Sequence, residues 1–113
     1  MLRALTDINC VWLRAHPETP LLYRSGVRYR LDARGTEVYK DIPHVLRDKV
    51  GDCKKLAAWR AAELIVRYGT EAKALPVLQS VASANGQEVV LVHVIVQYPD
   101  GLTEDPSRIL GMR

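Results

Sequence analysis

No run of about 18 consecutive apolar residues occurs in the sequence, which excludes a transmembrane helix. Cysteine is scarce. Cys10 and Cys53 are too few for a disulfide framework, so both are read as reduced thiols. The first residues, MLRALTDINCVWLRAHPE, hold neither a long apolar core nor a small-residue cleavage site. No secretory signal is therefore expected, and the expected compartment is cytoplasmic. There is no low-complexity run and no internal repeat. Sixteen Lys and Arg against thirteen Asp and Glu give a net charge of +3, a weaker excess than a dedicated nucleic-acid binder carries. No His/Cys cluster has zinc-ligand spacing, so neither a metal nor another cofactor is expected. What remains is an ordinary chain of 113 residues, 48% hydrophobic and 26% charged. That fits one domain over 1–113, long enough to bury a core without staples.

The pattern places helices first. Residues 6–15 allow a short helix capped by Thr6 or Asp7, ended by His16-Pro17 and Thr19-Pro20. Residues 21–40, with Gly26 and Gly35 at turn-like places, read as irregular with a short hairpin. IPHVLRDKV, 42–50, reads as a short helix with Pro43 in its first turn. The strongest helix is CKKLAAWRAAELIVRY, 53–68, alanine-rich, with Asp52 as N-cap and Gly69 just past its end. Leu56, Ala57, Arg60, Ala61, Leu64 and Tyr68 trace one stripe, and Trp59 falls on the face away from Leu56 and Arg60, either partly exposed or packed under the N-terminal segment.

The period then changes to two. AKALPVLQSVA, 72–82, reads as a strand that Pro76 pushes towards an edge. Asn85-Gly86 is a two-residue hairpin signal, and EVVLVHVIVQY, 88–98, is the best strand. Pro99-Asp100-Gly101 makes another turn, and LTEDPS a short third strand ended by Pro106. The expected fold class is α+β, helices followed by an antiparallel meander.

Three residues then stand in a suggestive order. Cys53 opens the long helix, where the positive end of the helix dipole and unpaired N–H groups favour thiolate. Lys54 adds positive charge, and the Cys53 N–H can line an oxyanion hole. Asp52 caps the helix, and its negative charge opposes thiolate formation. His93 lies mid-strand and can move a proton. Asp105, across the 98–101 turn, falls roughly opposite His93, where cross-strand Cβ atoms are about 5 Å apart. An acid there orients the imidazole, which completes a Cys-His-Asp arrangement for acyl transfer.

This order resembles the transglutaminase-like superfamily of papain-like cysteine proteins. Its Gly-x-Cys followed by small residues is similar to Gly51-Asp52-Cys53 and Ala57-Ala58. Its His-then-apolar strand is similar to His93-Val94-Ile95-Val96, and its closing Asp-Pro to Asp105-Pro106. The likeness covers about residues 40–110. It implies a papain-like core in which the Cys-bearing helix packs on a small antiparallel sheet, with Cys53, His93 and Asp105 as catalytic residues. DIPHVLR ahead of GDC, and EDPSRILGM at the end, also resemble short phage- or prophage-encoded members. That narrower likeness implies a protein made in a bacterial host, associated with the virion or its assembly. The oxyanion side chain that larger members place upstream of the cysteine has only Tyr23, Tyr29, Tyr39 and Arg47 as candidates here.

The resulting expectation is a cysteine-dependent amide or isopeptide hydrolase, or a transglutaminase-type transferase. Its substrate would be an amide in protein, peptide or peptidoglycan. The alternative is an idle fold serving as a binding or phage structural module, with phage structural proteins as partners and no membrane. Plainer readings stand beside each residue: Cys53 as a small buried hydrophobe, His93 as a satisfied core histidine flanked by buried Val89, Leu91 and Ile95, Asp105 as a cap before Pro106. Cys10 reads as core. His16 and His44 read as structural or surface, with no acid at useful spacing. Arg24, Arg28, Arg30 and Arg34 form the one basic concentration, read first as a solvated face; nucleic acid is the weakest partner expectation.

Overall fold

A computed structural model describes residues 1–31 and 40–112, without the side chain of Val81; Arg34, Gly35 and Tyr39 lie outside the described residues. The chain runs α1 (Leu2–Ala15), a 3-10 turn at Leu22–Arg24, β1 (Arg28–Tyr29), α2 (Ile42–Asp48), β2 (Val50–Gly51), α3 (Cys53–Tyr68), β3 (Lys73–Ala82), β4 (Glu88–Gln97), β5 (Thr103–Glu104) and α4 (Pro106–Ile109). The fold is α+β, with an antiparallel sheet in the order β3-β4-β5.

Helix α3 is buried nearly all round. On one side Leu56, Trp59 and Ala62 join Cys10, Leu13, Leu22, Val27, Ile42, Val45 and Leu110 in the main core. On the other, Ala57, Ala61 and Leu64 meet Ala72, Val94 and Val96 of the sheet. Alanines on the sheet side let β4 approach the helix closely, while the bulky residues face α1. Of the two placements open to Trp59, packing under the N-terminal segment holds: it is 0% exposed and clusters with Cys10 and Leu13 of α1, on the same side of the helix as Leu56. A helix buried on two opposite sides has no face to leave a large ring outside.

The caps of α3 are as the sequence suggests. The Asp52 carboxylate accepts from the Lys55 N–H, and Gly69 closes the helix in the left-handed region at φ 64°. Helix α1, by contrast, starts four residues earlier than expected. Thr6 does not cap it but donates its hydroxyl to the Leu2 carbonyl one turn back, at 2.9 Å. Leu5, Asn9, Cys10 and Leu13 form its buried stripe, and Asn9 accepts from the Ile42 N–H at 3.0 Å, tying α1 to the start of α2.

Between α1 and α2, β1 forms no hairpin among the described residues, and most of the second half of the 21–40 segment lies outside them. Strand β1 pairs in parallel with β2, Arg28 opposite Val50 and Tyr29 opposite Gly51. Gly51 is thus held two residues ahead of Cys53. A Cβ there would lie 3.2 Å from Leu56 Cδ2, 3.4 Å from Lys55 Cβ and 3.5 Å from Val45 Cγ1, so glycine allows the strand to lie against the first turn of α3.

Strands β3 and β4 pair without a bulge from Lys73–Gln97 to Ala82–Glu88. The Asn85-Gly86 pair is not a two-residue hairpin. Gly86 alone takes positive φ, and the loop closes between Ser83 and Gln87 with an N–H···O bond of 2.7 Å. That longer loop suits a turn followed by one left-handed residue. Helix α3 covers only the inner half of the ten-residue hairpin. In the outer half Leu78, Val90 and Val92 on one face, and Val89 and Leu91 on the other, are exposed, Leu78 at 76%. Val89 and Leu91 therefore do not share the burial of His93.

Because Trp59 fills the junction of α1 and α3, Trp59→Ala is expected to lower the unfolding free energy by about 3–5 kcal/mol. Urea denaturation monitored by circular dichroism measures this, and a loss below about 1 kcal/mol would rule out the packing role.

Candidate functional site

The three expected residues arrive from three elements. Cys53 is the first residue of α3, His93 lies in β4 next to the core-facing Val94, and Asp105 sits between β5 and α4. The Asp105–His93 contact forms: His93 Nε2 and Asp105 Oδ2 are 2.9 Å apart. The register explains how. Val96 pairs with Glu104 and Gln97 with Thr103, so continuing the ladder puts Asp105 opposite Ile95. Asp105 therefore reaches His93 on the diagonal rather than straight across, which is within the reach of a carboxylate.

Asp105 also caps α4. Its Oδ1 accepts from the Arg108 N–H at 3.4 Å, and Arg108 Nε lies 3.3 Å from Oδ2. Pro106, at the first helical position, needs no partner for a missing N–H. The cap reading and the histidine-partner reading of Asp105 thus hold together, one carboxylate oxygen serving each. His93 is 5% exposed.

Cys53 joins the same place through the backbone. Its half-buried side chain packs against the cluster that holds Val94 and Val96, and the backbone N–H of Val94, the residue after His93, favours its thiolate. That N–H lacks a strand partner for a topological reason: extending the β4–β5 ladder sets Val94 opposite Pro106, where β5 has ended and α4 has begun. Among the described residues, no hydrogen bond links the Cys53 sulfur directly to the His93 ring.

The electrostatics differ from the expectation in direction. Burial pushes the Cys53 thiol above its ordinary value, and the Asp52 charge adds to that. The N–H groups of Val94 and Lys54 and the Lys54 charge pull the other way without prevailing. Lys54 supports the thiolate little because its Nζ is paired with Asp52 Oδ2 at 3.1 Å. Cys53 thus rests as a neutral thiol. Burial likewise raises Cys10, which lies in the main core, and both cysteines are free.

A second constellation was not visible as a unit in the sequence. Arg60 of α3 donates from Nε to Glu104 Oε2 at 2.7 Å, and from its NH1 nitrogen to Glu63 Oε2 at 2.7 Å. Glu63, 1% exposed, accepts the Leu22 N–H on its other oxygen at 2.8 Å. Glu104 further accepts from the hydroxyls of Tyr23 and of Tyr98, the latter at 2.6 Å. The Arg60 guanidinium also stands 4.9 Å from the Tyr23 ring centroid. Arg60 and Glu63 are three apart on one helix and readable as a pair. Nothing local announces Glu104, 44 residues away.

Burial alone would raise the Glu104 carboxyl, yet hydrogen bonds from Arg60, Tyr23 and Tyr98 and the Arg60 charge hold it below the usual range. Tyr23 and Tyr98 are pushed up, by burial first and then by their bond to that carboxylate. Tyr23 is thereby committed to Glu104 and is no oxyanion donor. Arg47 is exposed and paired with Asp48, and Tyr39 lies outside the described residues. His16 stacks on Trp12 with centroids 3.5 Å apart. His44, contrary to expectation, does have an acid at hand: its Nδ1 contacts Asp41, one turn earlier. Arg24, Arg28 and Arg30 are exposed. Among the described residues, no group of three or more His, Cys, Asp or Glu could hold a metal ion, and no helix is long and apolar enough to cross a membrane.

No protein-family model, curated protein or solved structure matches the chain.

Glu104 makes the fold acid-sensitive in a defined way. The folded state holds its carboxyl below the unfolded value of about 4.3, so its stabilisation is complete above that pH and is lost as pH falls through the lowered value. Glu104→Gln is expected to lower stability at neutral pH but to flatten the further decline on acidification. Urea midpoints at several pH values between about 6 and 3 test this, and an undiminished acid decline in the variant would detach Glu104 from it.

Proposed function

We propose that the chain is a cysteine-dependent acyl-transfer protein with a papain-like, transglutaminase-like core, in which Cys53 is the nucleophile, His93 the base and Asp105 its orienting acid. The observation that carries this reading is the 2.9 Å His93–Asp105 bond on a strand whose next residue, Val94, belongs to the cluster that Cys53 packs against.

The mechanism follows from the donors. Asp105 accepts the Nε2–H, which leaves the lone pair on Nδ1 to receive the thiol proton. Because Cys53 rests neutral, proton transfer accompanies attack. The sulfur bonds to the amide carbonyl carbon, its proton passes to Nδ1, and the carbonyl oxygen takes the negative charge. The N–H of Cys53, at the first position of α3, is a donor for that oxyanion. As the tetrahedral species collapses, the C–N bond breaks and the imidazolium gives its proton to the departing amine. The thioester is then resolved by water, releasing an acid, or by a second amine, forming a new amide; either route returns Cys53 to the thiol.

The substrate of this reading is an amide in protein, peptide or peptidoglycan, and hydrolysis of an amide or isopeptide bond is favoured over transfer. The phage-like sequence of 41–53 and 104–112 suggests a setting in a bacterial host, cytoplasmic or on the virion, with viral structural proteins as partners.

Iodoacetamide alkylation across pH, read separately at Cys53 and Cys10 by mass spectrometry, tests the proposal. At neutral pH the wild-type Cys53 is expected to react at least about tenfold faster than in His93→Ala, about 1.4 kcal/mol. In the variant the rate should follow only the raised thiol. Two equally sluggish thiols in both proteins would refute the catalytic reading and favour an idle fold acting as a binding or structural module.

A further inference from the structure

Two points attach the β4–β5 pair to α3. One is Cys53, packed against the cluster that holds Val94 and Val96. The other is Arg60 on Glu104, which pairs with Val96. Cys53 and Arg60 are seven residues apart, which places them on the same face of α3 about 10 Å apart along its axis. The strand pair thus lies along one face of the helix, fixed at both ends of two helical turns.

The residue after Glu104 is Asp105. Neighbouring residues of an extended segment point in opposite directions, and here Glu104 turns to Arg60 while Asp105 turns to His93. β5 itself is only Thr103–Glu104; the 98–101 turn sets its pairing with β4, with the Tyr98 N–H on the Leu102 carbonyl at 2.8 Å. What anchors this short strand against α3 is the Glu104 side chain, which takes donors from three parts of the chain: Arg60 of α3, Tyr23 of the 3-10 turn and Tyr98 just past β4. Arg60 is in turn held by Glu63, itself bonded to the Leu22 N–H.

Resting on the cysteine-site reading above, we infer that Glu104 is a positioning residue. Clamped by Arg60 of the Cys53 helix, it sets where Asp105 stands and therefore where the His93 ring points relative to the sulfur. Glu104 touches none of the reacting atoms. Its effect passes wholly through Asp105. A one-residue slip of β5 would aim the position-105 side chain at the opposite face and leave His93 unpaired.

The test is a double-variant cycle on Cys53 alkylation at neutral pH, with Glu104→Ala, Asp105→Ala and both together. Each single variant is expected to slow Cys53 by about three- to tenfold and to shift its pH profile towards that of His93→Ala, with Cys10 unchanged. The double variant is expected to be no slower than Asp105→Ala alone, because the two act through one contact. Rates that multiply, or a wild-type profile in Glu104→Ala, would overturn the inference. Glu104→Gln, which retains an acceptor for Arg60 and the tyrosines, should recover at least half of the lost rate on a logarithmic scale. Circular dichroism checks folding of every variant. If both Glu104 variants unfold, the network carries the fold rather than placing Asp105, and the inference fails. Failure of the underlying reading looks different: His93→Ala and Asp105→Ala would then leave Cys53 reactivity unaltered.

Discussion

The guanidinium of Arg60 sits between two carboxylates, one from its own helix and one from the sheet, and the arrangement of the layers depends on it. Burying a charge is costly unless it is paired and its remaining donors are met. Here Arg60 meets Glu63 and Glu104, Glu63 meets a backbone N–H, and Glu104 meets two tyrosine hydroxyls. The cluster specifies which segment lies against α3 in a way that interchangeable aliphatic contacts do not. Apolar packing between the alanines and Val94 or Val96 tolerates sliding; a carboxylate bonded by three donors does not.

Economy at the end of β5 gives the candidate site its form. One proline stops the strand, opens a helix and leaves the Val94 amide without a strand partner, next to the cluster that Cys53 packs against. One aspartate caps that helix with one oxygen and holds the histidine with the other. The thiol gains two backbone donors yet remains neutral because burial outweighs them. A nucleophile in that state is activated only when a base takes its proton, which makes the orientation of His93 the controlling variable.

Much of this was legible in the sequence, for physical reasons that can be named. The long helix was readable to the residue because its cap, its alanines and its terminal glycine all agree. The His93–Asp105 contact was readable because a turn fixes which residues face each other, though the actual pairing is diagonal. Local signals missed what depends on distant partners. Trp59 packs under the N-terminal helix, one of the two placements the sequence left open, but beside Leu56 rather than away from it, because a helical stripe does not show which side a second layer covers. The start of α1 was missed because no side chain caps it. The parallel pairing of β1 with β2 involves two-residue strands from distant parts of the chain. The thiol's direction was misread because dipole and lysine are visible in sequence whereas burial, and the Lys54–Asp52 pair, are not.

The hairpin of β3 and β4 reaches past the helix that covers its inner half, and its outer side chains are exposed on both faces. Pro76 faces Val94, and the backbone direction that it leaves without a donor is the outer edge of β3, away from β4. Stability is therefore graded along this one element. Amides near Val94 and Val96 are protected by the whole fold, whereas those beyond Leu78 and Val92 are shielded only by each other. The tip can open and exchange its protons with solvent while α3, Arg60 and the residues around Cys53 stay in place.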